Sequence, residues 1–138
     1  MRLFHFTCDC AASGVSRDGI TLGSVLLDFS PIRLARGYQW MTVNPDPNQQ
    51  TWVTPSGSPS LLGCDRTENR FTVEVPADAD RSVLTLDQVF IAEASMSVRA
   101  VEALIESGRH EDWRIFRGTV PASWITEWWR RPSMKNGG

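Results

Sequence analysis

The sequence contains no apolar run approaching the roughly 18 residues that a membrane-crossing helix requires. It also lacks an amino-terminal apolar stretch followed by a small-residue cleavage site, so neither membrane insertion nor secretion is expected and a cytoplasmic protein is. Charge of one sign is missing too: 14 basic side chains stand against 16 acidic ones, a formal charge of −2. No global field then draws the chain onto nucleic acid or an acidic membrane, and any such contact has to be local. Cysteine is sparse and odd in number, Cys8, Cys10 and Cys64. In a cytosolic chain these are expected as thiols or ligands before they are bridges.

What is present is ordinary globular material. A chain of 138 residues with 41% hydrophobic and 22% charged side chains suits one domain, placed at residues 1–131, with a polar, Gly-rich tail from 132 to 138 expected to be disordered. Tryptophan is the exception to ordinary usage. Four of the six, Trp113, Trp124, Trp128 and Trp129, fall at or after position 113.

Periodicity gives an α+β pattern. Leu3 to Thr7 reads as a first strand, and Asp9 as the cap of a short helix through about Arg17 that stops at Gly19. Residues 20–36 are weakly patterned, with Val25 to Phe29 a possible short strand and Pro31 a break, so most of this stretch is expected as loop. Tyr38 to Val43 alternates as a strand, Asn44 to Pro59 is turn-rich, and Thr67 to Val75 alternates again up to Pro76. Val83-Leu84 and Val89-Phe90-Ile91 predict further strands. Ser95 then caps a helix ending at Gly108. Trp113 to Val120 is strand-like, and Ala122 to Arg130 is either a helical turn or a terminal strand.

Four groups of residues could carry chemistry. His5 and Thr7, two apart on a strand, share a face and can address one ligand with a ring nitrogen and a hydroxyl; the plainer alternative is a partly buried histidine satisfied by a backbone carbonyl. Arg66 and Arg70 could hold a diphosphate through forked donors, or form surface pairs with Asp65 and Glu68. His5, Cys8, Cys10 and Cys64 match the ligand count of a zinc site, but the Cys-x-Cys spacing is too short, so no metal is expected. The tryptophans from 113 to 129, interleaved with arginines, are either a stacking platform or interior packing with a basic rim.

Leu-Phe-His-Phe-Thr at the start, a short helix followed by Gly-Ile, Trp40-Met41-Thr42 and Cys64-Asp65-Arg66-Thr67 together resemble the ADP-ribosyltransferase-like fold. The likeness is to small bacterial and phage proteins and spans roughly residues 2–75. It implies split antiparallel sheets with one or two short helices, and NAD or a related nucleotide as ligand. By position, it implies that His5 and Thr7 hold the ribose and that Trp40 and Thr42 flank the nicotinamide. The later-strand place of the superfamily's catalytic glutamate is matched here by Asp87 or Gln88, with Glu74 and Glu93 as the other carboxylates to consider.

The expected chemistry therefore rests on His5, Arg66, Asp87 and Gln88, and the expected nucleotide contacts on His5, Thr7, Trp40, Thr42, Arg66 and Arg70. One rival is a non-enzymatic interaction protein, such as a phage antidefence or accessory factor, gripping a partner with Trp124, Trp128 and Trp129. Another is a protein that processes nucleic-acid or nucleotide phosphate with Arg66 and Arg70.

Overall fold

The computed structural model describes residues 1–50 and 66–132; Cys64, Asp65 and the tail from 133 onward lie outside the described residues. Eight strands are seen: β1 (Arg2–Thr7), β2 (Ser24–Phe29), β3 (Ile32–Arg36), β4 (Tyr38–Thr42), β5 (Asn69–Glu74), β6 (Val83–Leu84), β7 (Trp113–Arg117) and β8 (Ile125–Arg130). Three α-helices join them: α1 (Asp9–Asp18), α2 (Leu86–Ala92) and α3 (Val98–Glu106). The fold is α+β. Six strands form one antiparallel sheet in the order β6-β7-β4-β1-β5-β8, and β2 with β3 makes a separate hairpin.

The alternation in β1 and β5 builds the centre of the sheet. Leu3 lies opposite Val73 and His5 opposite Phe71, so the odd-numbered side chains of both strands share one face. On that face Leu3, Met41, Val73, Val75 and Phe116 pack with Ile20 and Val120, under the carboxyl-terminal end of α1. The opposite face carries Tyr38, Trp113 and Ile115, covered by Val25, Leu26 and Leu27 of the hairpin and by Leu86, Val89 and Ala100 of the helices. No helix among the described residues is long and apolar enough to cross a membrane.

Several local expectations change for identifiable reasons. Residues 20–36, expected mostly as loop, form the β2–β3 hairpin, whose turn contains a cis Ser30–Pro31 bond. Its apolar face is recognised only through packing on α3. Val89-Phe90-Ile91, expected in a strand, belongs to α2. Thr85 and Gln88 form a reciprocal capping box there, a start signal that outweighs the β-branched composition. Helix α3 is capped by Ser97, whose hydroxyl accepts from the Ala100 N–H at 3.1 Å, and not by Ser95. In α1, Cys8 occupies the cap position and Asp9 the first helical turn, where its carboxylate reaches sideways to Asn69 at 2.8 Å. Gly19 ends α1 at φ +84°, and a side chain there would overlap the Val120 carbonyl oxygen. Ala122 to Arg130 contains both of the expected alternatives, a single helical turn over Ala122–Trp124 and then β8.

Candidate functional site

The two seams of β1 are unequal. With β5 it is paired along its whole length, whereas with β4 it shares the single register pair Phe4–Thr42. The Val43 N–H donates toward β7, to the Asp112 carbonyl at 2.9 Å, so alternation aims the backbone groups of Thr42 and Trp40 at β1. The next rung would exchange bonds between Trp40 and Phe6. The Trp40 carbonyl instead accepts from His5 Nδ1 at 2.7 Å. The sheet is thus parted beyond Phe4–Thr42, with the imidazole capping a carbonyl that a continuous ladder would have used.

That bond fixes the chemistry of the ring. A carbonyl can only accept, so Nδ1 carries the proton and Nε2 of the neutral ring is an acceptor. The ring is half-buried, and removal from water lowers its pKa below the ordinary 6.5. The carbonyl bond opposes that shift, and the positive charge of Arg66 adds to it. Arg66 lies exposed in the turn ahead of β5, close enough for His5 to feel its charge. Nδ1 thus satisfies a backbone carbonyl, and Nε2 of the same ring is left as an acceptor.

Thr7 shares the His5 face by alternation, and its carbonyl accepts from Asn69 Nδ2 at 3.2 Å. Asn69 is fully buried and also joins Asp9 and, through its Oδ1, the indole N–H of Trp128 at 2.8 Å. It ties β1, α1 and β8 together beside the candidate site. The sequence reading missed it. The available signal was a strand beginning with Asn, a residue poorly suited to a pleated ladder unless its amide has fixed partners.

The remaining expected residues are distributed elsewhere. Because Thr42 lies opposite Phe4, Thr42 and Trp40 point to the face away from His5 and Thr7. Thr42 is 1% exposed and accepts from the Asn44 N–H at 3.1 Å. The Trp40 indole donates to the Ser24 carbonyl at 2.7 Å and meets Trp113 edge-on at 5.2 Å between centroids. Arg70 lies on that second face as well, its guanidinium 5.7 Å from the Phe4 ring centre and 5.1 Å from that of Trp129. It donates to the Pro45 carbonyl at 2.8 Å, which makes it a cross-brace between rings and loop.

Asp87 and Gln88 sit on α2, which packs on β6 and β7, beyond β4 from β1. They do not begin a strand, and the Gln88 side chain is engaged by the Thr85 N–H at 2.8 Å. Glu74 pairs with Arg2 on the second face. Glu93 accepts from the buried Tyr38 hydroxyl, whose pKa is raised first by burial and then by that carboxylate.

Cys8 and Cys10 are joined as a disulfide, against the expectation of free thiols or ligands. Among the described residues, no group of three or more His, Cys, Asp or Glu is arranged to hold a metal. The tryptophans do not form one platform. Trp113 is core, Trp124 meets Phe116 edge-on at 5.4 Å, Trp128 stacks on Phe71 at 5.3 Å, and Trp129 lies beneath Arg70 on the other face.

No family model matches the chain, and no curated protein and no solved structure matches it.

Proposed function

We propose that the protein binds NAD or a related nucleotide at the parting between β1 and β4, with ADP-ribose transfer as the activity that its sequence resemblance suggests. One observation carries this reading: His5 caps the Trp40 carbonyl with Nδ1 and is left with Nε2 as an acceptor, within reach of the charge of Arg66. A neutral imidazole acceptor suits a ribose hydroxyl, and an exposed guanidinium suits a diphosphate. By alternation the backbone N–H and C=O of Phe6 face the same seam, a donor and acceptor pair that matches a carboxamide or a base edge. Trp40 and Thr42 contribute by shaping the far wall, because their side chains are turned into the opposite core.

Transfer makes a further demand. Departure of nicotinamide leaves a cation-like ribose that a carboxylate normally supports, and removing that kind of support costs several kcal/mol. Asp87 and Gln88 lie on α2, which packs on β6 and β7 rather than on the seam, so the geometry supports binding more directly than transfer. A cytoplasmic location fits the nucleotide; the Cys8–Cys10 pairing is the one feature that argues the other way.

Titration calorimetry of the full chain with NAD and with ADP-ribose tests the reading. Saturable heat is expected, with His5→Ala and Arg66→Ala each weakening the dissociation constant by about tenfold, the size of one lost polar contact. Absence of heat with either compound at millimolar concentration sinks it. Release of nicotinamide in the presence of candidate acceptors separates transfer from binding alone. A second reading, an interaction protein using its carboxyl-terminal tryptophans, is favoured by Trp128, which remains 41% exposed although it stacks on Phe71.

A further inference from the structure

We propose that the open edge of β8 pairs with the same edge of a second copy of this chain, joining two six-stranded sheets across a twofold axis at Trp129. This edge lies apart from the nucleotide site and is defined by the direction of its backbone groups. Among the described residues β8 ends the sheet, and Thr126, Glu127, Trp128 and Arg130 are exposed along it. The Arg131 N–H donates to the Glu68 carbonyl at 2.7 Å, which sets Arg131, Trp129 and Glu127 as the residues bonded to β5. The N–H and C=O of Trp128 and Arg130 therefore point away from the sheet.

Such an edge is a template for another strand unless something blunts it. Ile-Thr-Glu-Trp-Trp-Arg holds no proline and no lysine, Pro121 and Pro132 lie outside it, and its two charges, Glu127 and Arg130, are of opposite sign. The irregularity between Thr72 and Val73 of β5 breaks the regular register near Thr126, leaving Glu127 to Arg131 as the regular segment.

Antiparallel pairing centred on Trp129 satisfies that segment completely. Trp128 then faces Arg130 of the partner subunit, twice by symmetry, so all four outward N–H and C=O groups of each copy are used. Trp128 and Arg130 share one face, so each indole meets the partner's Arg130 as a cation over a ring. On the opposite face Glu127 meets Arg131 of the partner subunit. Within each copy these side chains also have partners of their own, Arg130 with Asp9 at 3.5 Å, Arg131 with Thr67 at 3.1 Å and Asn48 at 3.4 Å, and Glu127 with Arg70 at 3.5 Å, so the contacts between copies are shared ones. The strand is thus complementary in charge to its own reverse, which singles out a second copy over an unrelated acidic or basic peptide.

Sedimentation equilibrium of the full chain tests the pairing. A contact this short gives a concentration-dependent dimer, so the mean mass should rise from 15.5 kDa toward twice that value, with a midpoint on the order of 100 µM. Arg130→Pro removes an outward donor while sparing the bonds to β5, and should return the protein to monomer with an unchanged circular dichroism spectrum. Glu127→Arg should do the same by setting like charges opposite one another, and adding Arg131→Glu should restore the dimer. If Arg130→Pro does not fold, the charge-reversal pair decides alone. The proposal is overturned if the wild-type chain stays monomeric at the highest concentration. A dimer that survives Glu127→Arg also overturns it, as does a monomer that takes up an extended acidic peptide at this edge.

Discussion

Strand β1 is zipped to β5 from Arg2–Glu74 to Thr7–Asn69, yet meets β4 at Phe4–Thr42 alone. The reason lies in what else claims each neighbour. Strand β4 is paired with β7 from Tyr38 to Thr42, and its side chains are drawn to the hairpin, with Trp40 on the Ser24 carbonyl and Gln39 on the Gly23 N–H. Strand β5 is held to β1 at both ends, by Asn69 at one and by the Met1–Val75 backbone bonds at the other. The large sheet is therefore two three-stranded halves meeting at one rung. The zipped seam is closed along its whole length, while the open seam holds a half-buried neutral imidazole beside a cation, and the two should respond differently to substitution.

The largest effect is expected on the zipped side. Phe71 is fully buried opposite His5 and beneath Trp128, and Phe71→Ala should lose about 3 to 5 kcal/mol in urea unfolding through lost burial and the cavity left behind. A loss near 1 kcal/mol would mean that this seam is not the rigid one. Asn69→Ala should follow at about 2 to 3 kcal/mol, since it strands the Trp128 indole N–H and frees the start of α1. On the open side the stability cost should be smaller. His5→Gln is expected to cost about 1 kcal/mol, one net hydrogen bond, while weakening nucleotide binding if the proposed site is correct.

The smallest effect is a matter of pH. Burial depresses the folded-state pKa of His5 below 6.5, so between that depressed value and 6.5 the unfolded chain binds more protons than the folded one. The contribution of His5 is present in full above 6.5 and is lost as the pH falls toward the depressed value. Denaturation midpoints measured from about pH 7 down to pH 5 should decline, and His5→Gln should flatten that decline. Carboxylates such as Asp9 and Asp28, whose folded pKa values are lowered from 3.8, act only further into acid. An identical slope in wild type and His5→Gln would remove His5 as the group responsible.

The parts legible in the sequence were those whose signal is local. Leu3 to Thr7 is rich in the aromatic and branched residues that suit a pleated strand, Phe71 to Val75 alternates, and Gly19 marks the end of α1 because only glycine is at ease at that backbone angle. Where two local signals competed, the reading followed composition. Val89-Phe90-Ile91 has strand composition, but the Thr85–Gln88 box three residues earlier starts a helix, and burial of Leu86 and Val89 against β7 completes it. The hairpin over residues 24–36 was hidden because its exposed Ile32 and Leu34 blur the alternation, while its true apolar side is defined by α3.

For the candidate site, the sequence by itself determined that His5 and Thr7 share a face, since strand alternation is a property of the backbone. It also determined that Trp128 and Trp129 part to opposite faces. Only the tertiary structure decided that Trp40 and Thr42 lie across the sheet from His5, because that depends on register, and a shift of one residue exchanges every side chain between faces. The parting of β1 from β4, and the bond that anchors the His5 ring within it, arise because β7 and the hairpin compete for β4. Competition among strands distant in sequence leaves no local mark.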